Sequence, residues 1–275
     1  MLAVDRRHRI LERVAEQQTI HIAELAKELD VSEMTIRRDI ARLERDGFLR
    51  RTYGGATAHV TRALELAFNA RALQHAAAKR LIAMEAARLA VEASTLFVGI
   101  GTTCEQFALF LPPREDRTVI TESVPVASLL GTRPGRVVVL GGTVRRDELS
   151  CIGPAATATI ARYRADVAVL GAAGISGPYG ISELFEEEAE NHRMMIERSE
   201  KVIVVADGSK LGAASPAIVA PLSEVDTLVT DESAPADELA SIRQSGVEVV
   251  VARRSSEAQA RRTETKTAEK IRLVR

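Results

Sequence analysis

Near the N terminus, three successive segments each carry apolar residues at the spacing of an amphipathic helix, which has about 3.6 residues per turn. A β-like stretch, Thr19-Ile20-His21, precedes the second segment, and Asp30-Val31 makes a short turn into the third. Three helices that each bury one stripe can enclose a small core. The apolar positions are Ile10, Leu11 and Val14 within residues 6–18, then Ile22, Leu25, Ala26 and Leu29, then Ile36, Ile40 and Leu43.

The third segment carries arginines opposite its apolar stripe. Ser32 suits the N-cap position, because its hydroxyl can accept a hydrogen bond from a free backbone N–H group. Residues 48–53 then lead to Gly54-Gly55, a turn pair that predicts a β-hairpin with basic residues. At about 100° per residue, the side opposite the stripe holds Met34, Arg38, Arg42 and Arg45, flanked near the helix start by Thr35 and Arg37.

This order of elements predicts a winged helix-turn-helix domain over residues 1–60. Its third helix fits the major groove of DNA, where side chains near the helix start reach base edges and arginines hold phosphates. A solvated surface helix is the alternative, and we expect Asp39 to pair with Arg38 or Arg42 on the same helix. The predicted DNA contacts are Ser32, Met34, Thr35, Arg37, Arg38, Arg42, Arg50 and Arg51.

Charge and composition narrow the picture further. The 275-residue chain has a formal net charge of −1, so its affinity for DNA must come from a local patch. Residues 36–51 hold six arginines and three acids, a modest excess, so we expect several DNA-binding domains to act together in a homo-oligomer, a dimer or a tetramer. Two distant cysteines argue against a disulfide framework, and the lack of a long apolar run or a signal peptide predicts a cytoplasmic protein without a membrane partner.

From residue 71 to residue 252, short apolar runs alternate with helical segments. The pattern predicts an α/β domain with a Rossmann-like, mainly parallel sheet and helices on both faces. An alanine-rich helix at 71–93 opens this domain after a linker at 61–70, and a basic tail at 253–275 is predicted to be disordered. The predicted strands are 96–98, 118–120, 137–140, 167–170, 202–206, 227–229 and 247–251.

Glycine and hydroxyl groups follow several of these strands, at the carboxyl ends where parallel sheets bind ligands. Residues 99–103 (Gly-Ile-Gly-Thr-Thr) follow the first strand and precede a helix at 104–111, an arrangement typical of a phosphate cradle, although a bare tight turn is the alternative. Together the strand ends predict a site for a small, anionic, hydroxylated ligand. The other strand ends are 121–123 (Thr-Glu-Ser), 141–145 (Gly-Gly-Thr-Val-Arg), 171–175 (Gly-Ala-Ala-Gly-Ile) and 207–210 (Asp-Gly-Ser-Lys).

Residues 22–56 resemble the DNA-binding motif of the DeoR family of bacterial transcription regulators, through Thr35-Ile36-Arg37-Arg38-Asp39, Leu43, Gly47 and Gly54-Gly55-Ala56. The runs GIGTT, TES, GGTVRRDELSCIGP, LGAAGIS, EAENHRMMI and ADGSK follow in the family's order and extend the resemblance over residues 5–252. That family's sensor domain is similar in fold to ribose-5-phosphate isomerase and glucosamine-6-phosphate deaminase. The resemblance implies a phosphorylated sugar or polyol as effector. No zinc-ligand spacing is present in the sequence, and we expect neither a metal nor a cofactor.

The resemblance also assigns residues. Thr35, Arg37 and Arg38 would contact operator DNA, and the phosphate would be held by Gly101, Thr102, Thr103 and Lys210. Glu122, Glu188 and Asp207 would lie near the sugar, although Glu122, His192 and Gly208 depart from the family's usual asparagine, lysine and polar residue. The candidate effector-binding residues are Gly101, Thr102, Thr103, Glu122, Ser123, Gly142, Arg145, Gly174, Glu188, Asp207, Ser209 and Lys210.

Three positions, Lys210, Cys104 and His192, have two interpretations each. Lys210 is expected to match the charge of the phosphate, with Arg145 as the alternative. Cys104 at a helix start could be a redox-sensitive thiolate, but we expect a buried thiol. His192 could be a pH-sensitive partner in the site, but we expect a residue on the helix surface. Glu122 could accept hydrogen bonds from ligand hydroxyls.

The sequence therefore predicts a DNA-binding transcriptional regulator, a repressor of a sugar or polyol catabolic operon that its effector relieves. The alternative from another class is a sugar-phosphate isomerase or deaminase fused to a DNA-binding domain. Gly174-Ile175-Ser176 carries no acid where the deaminases place catalytic residues, and an enzyme needs a base near its substrate. A constitutive nucleoid-type binder is disfavoured by the low net charge and by the predicted pocket.

Overall fold

The computed structural model describes residues 6, 7, 9, 10, 13, 19–45, 49–52, 54–58, 71, 72, 74–146 and 148–253. The linker at 61–70, the tail from 254 onward and Gly47 lie outside this described part. The chain divides into a first unit, residues 1–74 with 146–149, and a second unit, residues 75–145 with 150–275. None of the described helices combines the length and apolar character that a membrane crossing needs.

The first unit is a winged helix-turn-helix, as predicted. Helix α1 (Ile22–Glu28) is followed by α2 (Glu33–Arg45), and residues 6, 7, 9, 10 and 13 are also helical. An antiparallel sheet of three strands has the order β1 (Thr19–His21), β3 (Gly55–Ala58), β2 (Leu49–Thr52). The core includes Ile10, Ile36 and Ile40, which have no exposed surface.

Glycine is required at the tip of the β2–β3 hairpin. Gly54 has a φ of +86°, a conformation that other residues rarely adopt. A Cβ atom on Gly55 would lie only 2.0 Å from the carbonyl oxygen of Ile20. The glycine pair thus lets β3 pair closely with both β1 and β2.

The second unit contains a seven-stranded parallel sheet, which confirms the predicted α/β class. Its strand order is β15-β14-β12-β9-β4-β5-β6. Side chains alternate between the two covered faces: Leu96 and Val98 pack in one hydrophobic cluster and Phe97 in the other. The strands are β4 (Thr95–Val98), β5 (Thr118–Thr121), β6 (Arg136–Val139), β9 (Ala165–Leu170), β12 (Ser199–Val205), β14 (Thr227–Asp231) and β15 (Glu248–Ala252).

Two helices differ from the prediction in their bounds. Residues 71 and 72 are helical, but the left-handed φ of 54° at His75 separates them from the alanine-rich helix, which runs from Ala76 to Leu89 and so ends before the predicted 93. The helix expected at 104–111 begins two residues earlier and includes Thr102 and Thr103. The helices are α3 (Ala76–Leu89), α4 (Thr102–Phe110), α5 (Val124–Leu130), α6 (Pro154–Ile160), α7 (Glu186–Glu197) and α8 (Ala236–Gln244).

Five short strands lie outside the main sheet, and the sequence did not predict them. Strands β7 (Thr143–Arg145) and β8 (Ser150–Ile152) form an antiparallel hairpin after β6. A small antiparallel sheet has the order β10 (Gly174–Ser176), β11 (Gly180–Glu183), β13 (Ala217–Ala220). Residues 141–145 and 171–175, which we expected to be strand-end loops, therefore run into these added strands.

Candidate functional site

Helix α2 begins at the cap that the sequence predicted. The backbone N–H of Thr35 donates to Oγ of Ser32 over 3.2 Å, and the two hydroxyls lie 2.9 Å apart. Met34 follows the cap and is 60% exposed. The start of the helix thus presents hydroxyl groups and one apolar side chain to solvent.

Arginines cover the outer side of α2 and continue onto the wing. Arg37, Arg38 and Arg42 are all exposed. Arg37 pairs with Glu33 one turn earlier (Nη2 to Oε2, 3.1 Å), and Arg51 in β2 pairs with Glu44 (Nε to Oε2, 2.9 Å). Arg50 also lies in β2, but its side chain is outside the described part. An open cleft of about 570 Å³ lies between α2 and the wing.

Asp39 pairs differently from our expectation. It is buried, and its carboxylate contacts Arg6 (Nε to Oδ2, 2.5 Å) and Arg7 (Nη1 to Oδ1, 3.8 Å), more than thirty positions earlier in the chain. The expected pairing with Arg38 or Arg42 is therefore not what holds this carboxylate. The contact with Arg6 ties α2 to the helical residues at the start of the unit.

In the second unit, the carboxyl ends of the parallel strands all meet at one edge of the sheet. The predicted phosphate cradle lies there, between β4 and α4. Gly101 caps α4 with a φ of +99°, and Thr102 and Thr103 form the buried first turn. The first backbone N–H groups of a helix lack partners within it, so this turn can bind an anion.

A buried polar cluster, composed of Glu122, Glu183, Asn191 and His192, lies behind the cradle. Glu122 Oε1 is 2.8 Å from His192 Nε2, and Glu122 Oε2 accepts a hydrogen bond of 2.6 Å from Asn191 Nδ2. Glu183 Oε1 is 3.6 Å from Nδ1 of the same imidazole. His192 has no exposed surface, so our placement of it on the helix surface was wrong.

The charges in this cluster are mutually dependent. Burial lowers the pKa of His192, but the adjacent Glu122 carboxylate, with further contributions from Glu183 and Glu188, outweighs burial and raises the pKa from 6.5 to about 9. The imidazole is therefore protonated at neutral pH. For the Cys104 thiol, burial together with the Glu183 and Glu122 carboxylates raises the pKa, so it is a buried thiol, as expected, and not a thiolate.

Glu188 and Arg145 meet beside the β7–β8 hairpin. Ser150 Oγ donates to Glu188 Oε1 over 2.6 Å, and Arg145 Nε lies 3.4 Å from the same oxygen. Arg145 also donates to Glu187 over 2.8 Å, and its guanidinium lies 4.0 Å from the centre of the Phe185 ring. Arg145 is thus held by protein groups, which makes it a weaker candidate than Lys210 for a phosphate.

Lys210 ends a 3₁₀ turn that follows β12. Asp207 shapes this turn by accepting hydrogen bonds from the backbone N–H (3.1 Å) and the hydroxyl (2.5 Å) of Ser209. A Cβ atom on Gly208 would lie 2.3 Å from the nitrogen of Ala234, so only glycine fits there. Lys210 is half-buried, and no ion pair joins it to any residue that the structure describes.

Three other predicted residues have structural roles at this edge. Ser123 caps α5 by accepting a hydrogen bond from Val126 N (3.3 Å). A Cβ atom on Gly142 would lie 2.5 Å from the carbonyl oxygen of Ile152, and a Cβ atom on Gly174 would lie 2.6 Å from the carbonyl oxygen of Ala213. Close backbone packing therefore accounts for glycine at both positions.

The sequence did not single out Asn191 or Ser150 as site residues. A signal was available for the first: Glu188, Asn191, His192 and Met195 are spaced i, i+3, i+4 and i+7, and all four are buried. That spacing describes an inward helix face even though three of its members are polar. Ser150 offered no comparable pattern.

Models of two protein families match the chain. The DeoR-like helix-turn-helix domain matches residues 6–62, and the DeoR C terminal sensor domain matches residues 74–232. Relatives match along nearly the whole length. The HTH-type transcriptional regulator GlpR of Haloferax volcanii is 33% identical over 91% of this chain and 98% of its own. The glycerol-3-phosphate regulon repressor of Escherichia coli is 31% identical over 86% and 93%.

Among solved structures, the likeness is weaker. Ribose 5-phosphate isomerase A of Methanocaldococcus jannaschii aligns with 50% of this chain and 54% of its own, with 18% identity and a TM-score of 0.37. A similarity of this size adds nothing to the functional argument, which depends on the relatives and on the geometry above.

Proposed function

This chain belongs to the DeoR family of transcriptional regulators, and from that premise we propose that it represses a sugar or polyol catabolic operon until a phosphorylated sugar or polyol releases it from its operator. The name of one relative, a glycerol-3-phosphate regulon repressor, supports an effector of this class. The observation that carries the proposal is the carboxyl edge of the parallel sheet. There a helix start, a lysine without an ion pair among the described residues and a buried polar cluster come together.

The phosphate would bind between the start of α4 and Lys210. Strands β4 and β12 both flank β9, so their ends are roughly 10 Å apart at a strand spacing of about 4.8 Å. A sugar phosphate can span that gap. The N–H groups of the first turn would hold the phosphate oxygens, and Lys210 would supply a formal positive charge.

We propose that the site binds its ligand without catalytic turnover. A general base needs a carboxylate that can reach a substrate proton. Asp207 is engaged by Ser209. Glu122 pairs with His192 and accepts a hydrogen bond from Asn191, so we expect it to hold the imidazole and to accept hydrogen bonds rather than to remove a proton from carbon. Glu188 is engaged by Ser150 and Arg145. Turnover of any sugar phosphate by the purified protein would contradict this part of the proposal.

Operator binding is assigned to α2 and the wing. The exposed side of α2 would enter the major groove, and the arginines of the wing would hold backbone phosphates. We propose that the regulator acts in the cytoplasm as a dimer or tetramer, since two linked domains bind two half-sites more tightly than one. Light scattering on the full chain, with and without operator DNA, measures this state.

The decisive experiment compares Lys210→Ala with Lys201→Ala. Both lysines are associated with β12, but Lys201 lies near its amino end, away from the proposed site. With an operator selected from random DNA by the wild type, the phosphorylated effector should release wild type and Lys201→Ala from DNA. Release of Lys210→Ala should need an effector concentration at least tenfold higher, since a charge-assisted contact contributes about 1.5–3 kcal/mol. Equal release of all three proteins would show that Lys210 is not the phosphate ligand.

A further inference from the structure

Several buried polar atoms at the carboxyl edge lack hydrogen-bond partners. Among the described residues these atoms include Glu122 Oε1, Asn191 Oδ1, Arg145 Nε and both ring nitrogens of His192. Glu122 and His192 form an ion pair at 2.8 Å, but its geometry gives neither atom a directed hydrogen bond. Buried polar groups are nearly always satisfied, so a group of such atoms in one place indicates a missing polar partner.

The chemistry of these atoms defines that partner. Glu122 Oε1 and Asn191 Oδ1 are acceptors, whereas the protonated imidazole and the guanidinium nitrogen are donors. A hydroxyl group both donates and accepts, so adjacent hydroxyls would satisfy both kinds. The surrounding acids, Glu122, Glu183, Glu187 and Glu188, outnumber the basic groups of His192 and Arg145, which disfavours a second phosphate here.

The cluster also packs directly against the cradle loop. A Cβ atom on Gly99 would lie 2.8 Å from Nε2 of His192, so the edge of the imidazole faces the first residue of that loop. Glycine is therefore needed at position 99 for the loop to approach the imidazole this closely. A ligand held by the cradle would then have its nearest hydroxyl groups beside the cluster.

We propose that Glu122, Asn191 and His192 form a subsite that recognises hydroxyl groups of the effector. The effector would then be a monophosphate with free hydroxyls close to its phosphate, preferred over inorganic phosphate and over bisphosphates. This inference rests on the proposed function of the same site, and it adds the residues that set ligand selectivity.

Calorimetry on the full chain tests it through a ratio of affinities. The probes are inorganic phosphate and a panel of monophosphates of three- to six-carbon sugars and polyols, with the tightest binder carried forward. In the wild type this binder should bind at least tenfold more tightly than inorganic phosphate. Glu122→Gln and His192→Gln should reduce that preference at least fivefold while changing the affinity for inorganic phosphate by less than twofold. Lys210→Ala should weaken both probes in similar proportion.

Two further variants keep the test decisive. Thr230→Val removes another buried, unpartnered hydroxyl, in β14, which three strands separate from β5, and it should leave the preference unchanged. If a polar variant fails to fold, Gly99→Ala should reduce the preference, because its methyl group must displace the imidazole of His192. An unchanged preference in the folded variants, or an equal loss for both probes, would overturn the subsite alone. A wild type that binds no monophosphate better than inorganic phosphate would overturn the subsite and the proposed effector class together.

Discussion

At the scale of single residues, the raised pKa of His192 makes the stability of the folded state depend on pH. Glu122 faces it from the end of β5, Glu183 from β11 and Glu188 from its own helix, and its pKa is raised from 6.5 to about 9. A group whose pKa is higher in the folded protein stabilises it fully below the unfolded pKa. That stabilisation declines between about pH 6.5 and pH 9 and is lost above the folded pKa.

We therefore predict that the urea midpoint for unfolding the second unit falls as the pH rises from 6.5 to 9.5. In His192→Gln the fall should be smaller, because the substituted residue does not titrate. Circular dichroism at matched ionic strength measures both proteins. Parallel curves for wild type and variant would mean that His192 does not carry this charge.

Two adjacent residues of α2 separate DNA recognition from stability. Arg38 is exposed, whereas Asp39 is buried against Arg6. We predict that Arg38→Ala abolishes specific operator binding, at about 1–3 kcal/mol per lost base contact, with little change in melting temperature. Asp39→Ala should instead destabilise the first unit by on the order of 3 kcal/mol, since it leaves Arg6 without its partner. Mobility shifts and thermal melts on both variants check the contrast, and specific binding by Arg38→Ala would exclude α2 as the reading helix.

At the scale of elements, acidic residues hold the arginines of α2 and of the wing before DNA arrives. Glu33 pairs with Arg37, and Glu44 pairs with Arg51. Exposed pairs of this kind contribute little stability, but they reduce the local positive charge.

We predict that Glu33→Gln and Glu44→Gln each tighten binding to all DNA sequences and steepen its salt dependence, because a released arginine can displace one more counterion. Glu115→Gln, a charge-matched change in the second unit, is the control. Fluorescence anisotropy at salt concentrations between about 50 and 200 mM measures the slopes. Slopes equal to the wild type would show that neither pair limits DNA contact.

The strands of the main sheet could be predicted from the sequence, whereas the added short strands could not. Most residues of the seven sheet strands are apolar, and those of the central strands, such as Leu96, Phe97 and Val98, are buried; a run of that kind is visible without any partner. Strands β7, β8, β10, β11 and β13 are three or four residues long, and all except β13 include glycine or polar residues. They are strands only because a neighbouring segment pairs with them, which local pattern cannot reveal.

The candidate effector site also has one part that the sequence could predict and one part that it could not. The cradle was predictable because glycine, hydroxyls and a helix start are adjacent in the chain. The polar cluster was not, because Glu122 and His192 are 70 positions apart and an isolated histidine on a polar helix suggests a surface residue. The DNA-contact and effector-contact assignments remain predictions, which the variants of Arg38 and Lys210 test.

At the scale of the whole molecule, repression requires that the effector and DNA favour different states of one protein. A ligand shifts such an equilibrium only by its difference in affinity between the two states. The two proposed binding surfaces belong to separate units, the arginines of α2 to the first and the strand ends to the second. On this proposal, effector and DNA would influence each other through a coupling free energy rather than by competing for one surface.

The last prediction follows from that coupling. If the effector weakens operator binding by some factor, operator DNA must weaken effector binding by the same factor, which for allosteric proteins is typically about 5- to 150-fold. Calorimetry should therefore give a weaker effector affinity for the protein–operator complex than for the protein alone, in agreement with the factor from DNA titrations. Arg38→Ala, which we expect not to bind the operator, serves as the control, because added DNA should leave its effector affinity unchanged. An effector affinity that operator DNA leaves unchanged would contradict this coupling. Complete loss of effector binding in the protein–operator complex would instead indicate that the two ligands compete for the DNA-binding surface, and the effector site would then have to be sought in the first unit.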